Sequence, residues 1–486
     1  MRIDPDLVTG PIGRLVAYAQ NGLEVLRFGG LETGEEPSPY AVVEHSPMYQ
    51  LRRYFPAQPN EGAPPVLLVH PMMLAADLWD VSPSSSAVTA LHQAGLDPWV
   101  IDFGSPDKVE GGLDRTLTDH VIALSDAIDQ VREHTGRDVH IGGYSQGGMF
   151  CYQAAAYRRA EKVASVITFG SPADILAGTP LGLPEDVLVR SAEFLADHVF
   201  TRLALPSWAA RLGFKLLDPV KSTRSQVDFL RQLHNRDALL GREKQRRFLE
   251  GEGWVAWSGP AIVELLRQFV VHNRMMTGGF VIGDRLVTLA DITCPILAFL
   301  GEVDDIGQPA AVRGVGKAAP KAEVFEYTLR AGHFGLVVGS TANKVTWPAV
   351  VDWVRWRQDG GEQPDGVRPL AEAEAQPRAS DVTSRVTYGL NALADVSLAA
   401  GRSLAGRATD AFRTSREITA EAAHALPRLL RLGQIQSHTR VSFGKLLDEQ
   451  AKRAPDGECF LFEDRVHTNA AVRTRIDNVV RGLIKV

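Results

Sequence analysis

DVHIGGYSQGGMFCYQAAAYRRA, residues 138–160, sets a short apolar run, a serine between glycines and a helix-forming run in direct succession. The core pattern G-x-S-x-G spans Gly143 to Gly147. It is short enough that chance supplies roughly 0.2 matches in a chain this long. The flanks decide its meaning. A strand that turns sharply into a helix is the context that lifts a serine hydroxyl out of the backbone.

Working outward, PVLLVH (65–70), DPWVIDF (97–103), VASVITFG (163–170) and CPILAFLG (294–301) read as further buried strands. LTDHVIALSDAIDQVREHTG (117–136) repeats apolar residues three and four apart and stops at glycine, the pattern of an amphipathic helix. Strands alternating with helices imply a mainly parallel sheet covered on both faces. The expected class is α/β, a mainly parallel central sheet with a helical cap insertion over 178–290. That stretch has few strand signals and carries Trp208, Trp254 and Trp257.

The expected divisions are an N-terminal helical segment (1–44), the α/β domain (45–357), a linker (358–383), an Arg/Ala-rich helical segment (384–438) and a final piece (439–486). GGEQPDGVRPLAEAEAQPRAS is acidic and lacks apolar period, which reads as linker. Between 384 and 440 there are eight arginines, no lysine and four acidic residues. Such a helix suits packing on a neighbour and leaves contact with a membrane or lipid-droplet surface open.

Composition bounds the rest. The 486 residues are 45% hydrophobic with net charge −6, so no basic field invites nucleic acid. Three widely spaced cysteines, Cys151, Cys294 and Cys459, fit a reducing compartment and show no metal-ligand spacing. No apolar run reaches the ~20 residues of a membrane helix. MRIDPDLVTG lacks signal-peptide character. The expectation is a cytoplasmic protein needing no cofactor and no metal.

A serine hydroxyl needs a base to take its proton and a carboxylate to orient that base. On an open α/β sheet they follow in the order Ser, Asp/Glu, His. FLGEVDDIGQP supplies Asp304 and Asp305 159 residues after Ser145, and LRAGHFGLVVGS supplies His333 29 residues after Asp304. Asp304, third after the glycine that ends the strand, is favoured over Asp305; Asp102 in VIDFG also ends a strand but precedes the serine and reads as structural. Cys151 is expected to pack beneath the turn. Oxyanion donors are expected from the backbone amides of Gln146, directly after the serine, and of Met72, since Pro71 in HPMML has no N–H.

Several phrases together resemble the poly(3-hydroxyalkanoate) synthase family within the α/β-hydrolases. They are VIDFGSP, GGYSQGG, HNRMMTGGFVIGDRLVTLADITCPILAFLGEVDDI and AGHFGLVVGSTANKVTWPAVVDW. The resemblance implies a triad-bearing core acting on acyl thioesters and carries over Asp304 and His333. It departs at the nucleophile, where those polymerases carry cysteine and this chain carries Ser145. From about Thr439, VSFGKLLDEQAKRAPDGECFLFEDRVHTNAAVRTRIDNVVRGLIKV is similar to the opening of an AMP-forming acyl-CoA synthetase, in which a helix, a strand pair and a helix come first. Together the halves resemble bifunctional lipase/acyl-CoA synthetases of mycobacterial type. An acyl-CoA synthetase partner, or a further C-terminal half, is the implied associate. No phosphate loop follows Thr439, so adenylation is not expected. The activity expected is hydrolysis of lipid esters such as acylglycerols, with acyl transfer from CoA, polymer synthesis and a non-catalytic docking role as the rivals.

Overall fold

The structure, a computed structural model, describes residues 11–178, 185–201, 204–208, 210–211, 229, 231–370, 448, 450–462 and 465–484. Met1–Ala379 and Ser380–Val486 form two units.

The first unit is built on a nine-stranded sheet: β1 (Tyr40–His45), β2 (Gln50–Tyr54), β3 (Pro65–Val69), β4 (Asp97–Asp102), β5 (Val139–Tyr144), β6 (Val163–Phe169), β7 (Ile296–Gly301), β8 (Val324–Leu329) and β9 (Val367–Pro369). Their spatial order is β1-β2-β4-β3-β5-β6-β7-β8-β9. Strands β3 through β8 are mutually parallel, whereas β1, β2 and β9 join antiparallel. This is the mainly parallel α/β sheet that the sequence implies. Every residue of β3, β5 and β7 is buried. That explains why these strands read as unbroken apolar runs: both faces are covered by helices. Successive side chains still alternate, with Leu67 and Val69 in one core layer and Val66 and Leu68 in the other.

The helices used below are α1 (Pro11–Phe28), α2 (Ala87–Gln93), α3 (Leu117–Thr135) and α4 (Gln146–Tyr157). Helix α3 starts at a capping box between Thr116 and Asp119 and ends where Gly136 turns left-handed at φ 69°. Its buried stripe, Val121, Leu124, Ile128 and Val131, packs beneath β3–β5. Each of these contributes roughly 1.5–3 kcal/mol of apolar burial. A charge at Val131 would break that face. On the opposite face Trp347 packs edge to face with both Trp79 and Phe169 around the carboxyl half of the sheet.

The insertion after β6 holds helices Glu185–Phe194, Arg236–Arg247 and Gly259–Leu265, each running on into a wider turn. It also holds a hairpin of Phe280–Ile282 with Arg285–Val287.

Two expected boundaries are corrected. The 1–44 segment already enters the sheet at Tyr40. The reading of 358–383 as linker fails up to Leu370: helix Trp347–Asp359 covers its start, and Val367–Pro369 pairs with Phe325–Tyr327 of β8. Val367 and Leu370 are buried. A three-residue strand among Gly and Pro carries no periodicity to find. Residues 371–438 lie outside the described residues.

In the second unit, helical residues 450–453 precede a hairpin of Glu458–Phe462 with Arg465–Thr468, followed by helix Asn469–Ile484. Among the described residues no helix is long and apolar enough to cross a membrane.

Candidate active site

The sheet order reverses between β3 and β5, and the loops leaving their carboxyl ends form the crevice where open α/β sheets place ligands. Ser145 follows β5 directly. Its backbone sits at φ 53°, ψ −120°, a region that a side chain adopts at a cost of about 1–3 kcal/mol. The flanking glycines make this turn possible. A Cβ on Gly143 would lie 2.4 Å from the Gly148 nitrogen, and one on Gly147 would lie 2.2 Å from the Val69 carbonyl oxygen. Either would push α4 away from the turn. The small residues therefore bring the amino end of α4 onto the end of β3.

Two further loops reach the serine. His333 follows β8, and its Nε2 lies 2.9 Å from Ser145 Oγ. Asp304 follows β7, and its Oδ2 lies 2.7 Å from His333 Nδ1. The carboxylate can only accept, so Nδ1 carries the proton and Nε2 is left to accept from the serine hydroxyl. Asp304 is itself held: its Oδ1 accepts from the amides of Ile306 at 2.9 Å and Gly307 at 2.7 Å. Both Asp304 and His333 are buried, whereas Asp305 is exposed. The ring of Tyr144 lies 4.8 Å from the His333 ring and backs it against the sheet. The arrangement can pass a proton from Oγ to Nε2 with the resulting imidazolium facing a fixed carboxylate.

Asp102 sits elsewhere. It pairs with Arg52 and accepts from the Gly104 amide at 2.8 Å. Cys151 is fully buried in α4, and burial pushes its thiol well above the ordinary thiol range. It is not a nucleophile in this setting.

Of the two expected oxyanion residues, Gln146 begins α4, where the first-turn amides have no intrahelical acceptor. The Met72 amide is already engaged: it donates to Gln146 Oε1 at 3.1 Å. An incoming carbonyl at Met72 must replace that side chain. Gln146 is buried, and its Nε2 has no hydrogen-bond partner among the described residues.

The turn carrying Met72 is braced from below by His70, whose importance the sequence reading missed. Its Nδ1–H donates to the Pro71 carbonyl at 2.9 Å, and its Nε2 accepts from the Phe103 amide at 3.2 Å. Complete burial holds its pKa below the ordinary value, so the ring stays neutral. From above, the insertion docks on the same turn through Gly253–Trp257. The signal for that contact lay only in the tryptophans noted in 178–290. A cavity of about 270 Å³ among Phe229, Leu239, Arg246 and Leu249 touches none of Ser145, Asp304 and His333. Among the described residues no cluster of His, Cys, Asp and Glu could hold a metal ion.

The chain is similar to the poly(3-hydroxyalkanoate) polymerase subunit PhaC of Allochromatium vinosum, 28% identical over 73% of this chain and 99% of that protein. It is similar also to the PhaC subunit of Haloferax mediterranei, 26% identical over 71% of this chain and 70% of the other. Among solved structures, a putative lipase from Sulfolobus solfataricus aligns at TM-score 0.41 and 15% identity, over 66% of this chain and 93% of that one. A monoacylglycerol lipase from Paleococcus ferrophilus aligns at TM-score 0.39 and 16% identity, over 61% and 97%. Residues 66–346, from the start of β3 to the threshold of the last helix of the first unit, match the profile of the alpha/beta hydrolase family. With that match spanning more than half of the chain, this protein belongs to the alpha/beta hydrolase family.

Proposed function

We propose that this protein is a serine ester hydrolase that cleaves lipid esters, such as acylglycerols, through an acyl-serine intermediate. The observation that carries the reading is the chain of contacts from Ser145 Oγ through His333 to Asp304, 2.9 Å and 2.7 Å long. Ser145 Oγ attacks the ester carbonyl as its proton passes to His333 Nε2. The amides of Gln146 and Met72 hold the oxyanion, each such donor being worth about 10²–10³ in kcat. Collapse expels the alkoxide, which leaves as the alcohol with the proton from Nε2. Water, deprotonated by the same nitrogen, then releases the fatty acid and restores Ser145. Asp304 keeps Nδ1 protonated throughout and stabilises the imidazolium.

The part-buried side chains of Met73, Leu205, Leu249 and Phe334 pack against one apolar cluster, Met73 and Phe334 directly after Met72 and His333 in the chain, and suit an acyl chain. The second reading, acyl transfer from CoA or polymer synthesis, is favoured by the PhaC relatives, one of them matched over nearly its whole length. It uses the same three residues and differs in the acyl donor, a CoA thioester, and in the exclusion of water as acceptor. The helix–hairpin–helix order of 450–484 supports reading the tail as the opening of an acyl-CoA synthetase-like region. A lipid substrate also favours work at a membrane or droplet surface.

Ser145→Ala should abolish hydrolysis of p-nitrophenyl esters and labelling by a fluorophosphonate, with kcat down by about 10⁴ or more. Labelling that persists at another serine refutes the assignment. Supplying an acyl-CoA with and without an alcohol separates the two chemistries: free fatty acid marks the hydrolase, and a new ester marks the transferase. No turnover of either kind leaves the docking role.

A further inference from the structure

The insertion after β6 has one short stretch that touches both loops of the site. Ala75 N–H donates to the Gly253 carbonyl at 2.8 Å, and Val255 N–H donates to the Met73 carbonyl at 3.0 Å. Leu74 and Trp254 form the antiparallel bridge between these bonds. The stretch is in turn fixed on its far side, where Leu205 and Trp257 exchange both backbone hydrogen bonds, at 2.9 Å and 2.8 Å. Ser258 Oγ, one residue on, donates to the Arg115 carbonyl at 2.5 Å. The Trp254 side chain, 8% exposed, meets the ring of Phe334 edge to face at 6.4 Å. Phe334 is the residue directly after His333. Trp254 Nε1 donates to the Leu249 carbonyl at 2.8 Å, which fixes the indole plane within the insertion.

Met72 thus lies in a turn gripped from the insertion on one side and by Gln146 and His70 on the other. A cover that only screened the crevice would need apolar contact, not two backbone hydrogen bonds to Met73 and Ala75 in the turn that carries Met72. We propose that Gly253–Trp257, with Trp254 as its central side chain, is a positioning element for the Met72 amide and the His333 loop, so that the site works only while the insertion is docked. The inference rests on the ester-hydrolase reading and deepens it. Trp254 touches no reacting atom; it acts through Leu74 and Phe334. Lifting the insertion then opens the crevice and dismantles the oxyanion donor in one movement, which couples acyl-chain entry to the loss and recovery of chemistry.

Two substitutions test this in the full chain. Ala75 sits at φ −70° and ψ 153°, a conformation proline adopts, so Ala75→Pro fits the backbone of residue 75 while it removes the donated bond to Gly253 and sets the ring against that carbonyl. Trp254→Ala removes the indole, and Trp254→Phe restores much of its apolar contact. The substrate is p-nitrophenyl acetate, whose acyl group is too short to need a channel. Both Ala75→Pro and Trp254→Ala should lower kcat by about 10- to 100-fold with KM within ~3-fold, the cost of a catalytic group displaced by part of an ångström. Fluorophosphonate labelling should slow in parallel, and Trp254→Phe should recover most of the rate. Trp208→Ala, at a tryptophan of the same insertion that is 62% exposed, should leave both rates unchanged. If the variants fold and keep the wild-type kcat on acetate, or lose rate only on long-chain esters through KM, the insertion is a cover and the proposal falls. If the wild-type chain neither hydrolyses acetate nor reacts with the fluorophosphonate, it is the hydrolase reading that fails.

Discussion

Mild acid should destabilise the first unit steeply, because it stores three histidines as buried neutral rings. His120 is clamped between the rings of Phe103 and Phe150, with Nδ1 2.6 Å from the Thr116 carbonyl oxygen. Burial, helped by Arg115, takes its pKa from 6.5 down to about 4. His140 lies in β5 between Ser165 Oγ at 2.7 Å and Gln358 Nε2 at 3.0 Å, and burial beside Arg357 takes it to about 3. His70 moves the same way. Above pH 6.5 these rings are neutral both folded and unfolded, and pH has no leverage through them. Below 6.5 the unfolded chain binds protons that the folded chain refuses, so stability falls as pH falls, by about 1.4 kcal/mol per pH unit for each ring. For His120 and His140 alone the loss is about 3 kcal/mol at pH 5.5 and about 4 kcal/mol at pH 5, against a typical total of 5–15 kcal/mol. Most carboxylates stay ionised in that window. Urea unfolding followed by tryptophan fluorescence at pH 7.5, 6.5, 5.5 and 5.0 measures the slope. His140→Gln keeps polar groups for Ser165 and Gln358 without a titrating ring, and should remove about half of the loss assigned to the pair. A flat profile between pH 7.5 and 5.0, or a His140→Gln profile as steep as the wild type, would refute the reasoning.

Asp304→Asn should cost about 10⁴ in kcat, because its amide cannot hold the His333 tautomer, whereas the exposed Asp305→Asn should stay near wild type. Steady-state hydrolysis compares them, and equal losses would dissolve the distinction between the two aspartates. Gly147→Ala should lower both Tm and kcat, since its methyl must part α4 from the Val69 carbonyl; an unchanged melting curve would show the close approach to be slack. A chain ending at Leu370 should keep wild-type hydrolysis and Tm, while one ending at Gly360 should lose several degrees through the missing β9. Differential scanning fluorimetry decides, and identical curves would make β9 dispensable.

The parts legible in the sequence were those that obey local rules. Continuous apolar runs announced β3 through β7, and the three-and-four spacing of apolar residues with Gly136 at its end announced α3. The glycine spacing around Ser145 was legible because it encodes distances too short for a Cβ. Asp304 and His333 were reachable from their order along the chain and the strands before them. What stayed hidden depends on contacts between distant segments. His70 looks like any residue at a strand end until Phe103 is brought to its Nε2. Trp254 looks like core until its segment is seen bonded to residues 73–75. The engagement of the Met72 amide by Gln146 Oε1 joins residues 74 apart and has no signature in either neighbourhood. β9 was missed for the opposite reason, since its three residues sit in a stretch whose composition speaks for a linker.

The antiparallel strands at either end of the sheet have a consequence for how this protein can be handled. The family match, 66–346, contains neither β1 and β2 nor β9. A fragment cut to those limits would retain Ser145, Asp304 and His333, yet would leave β4 and β8 each with a row of unsatisfied backbone donors and acceptors along one side. Parallel strands with bare edges recruit strands from other chains. The flanking sequence therefore acts as a pair of selvedges, stopping the weave where the parallel strands end, and a trimmed fragment should pass from clear solution to aggregate with its chemistry intact on paper and unusable in the tube.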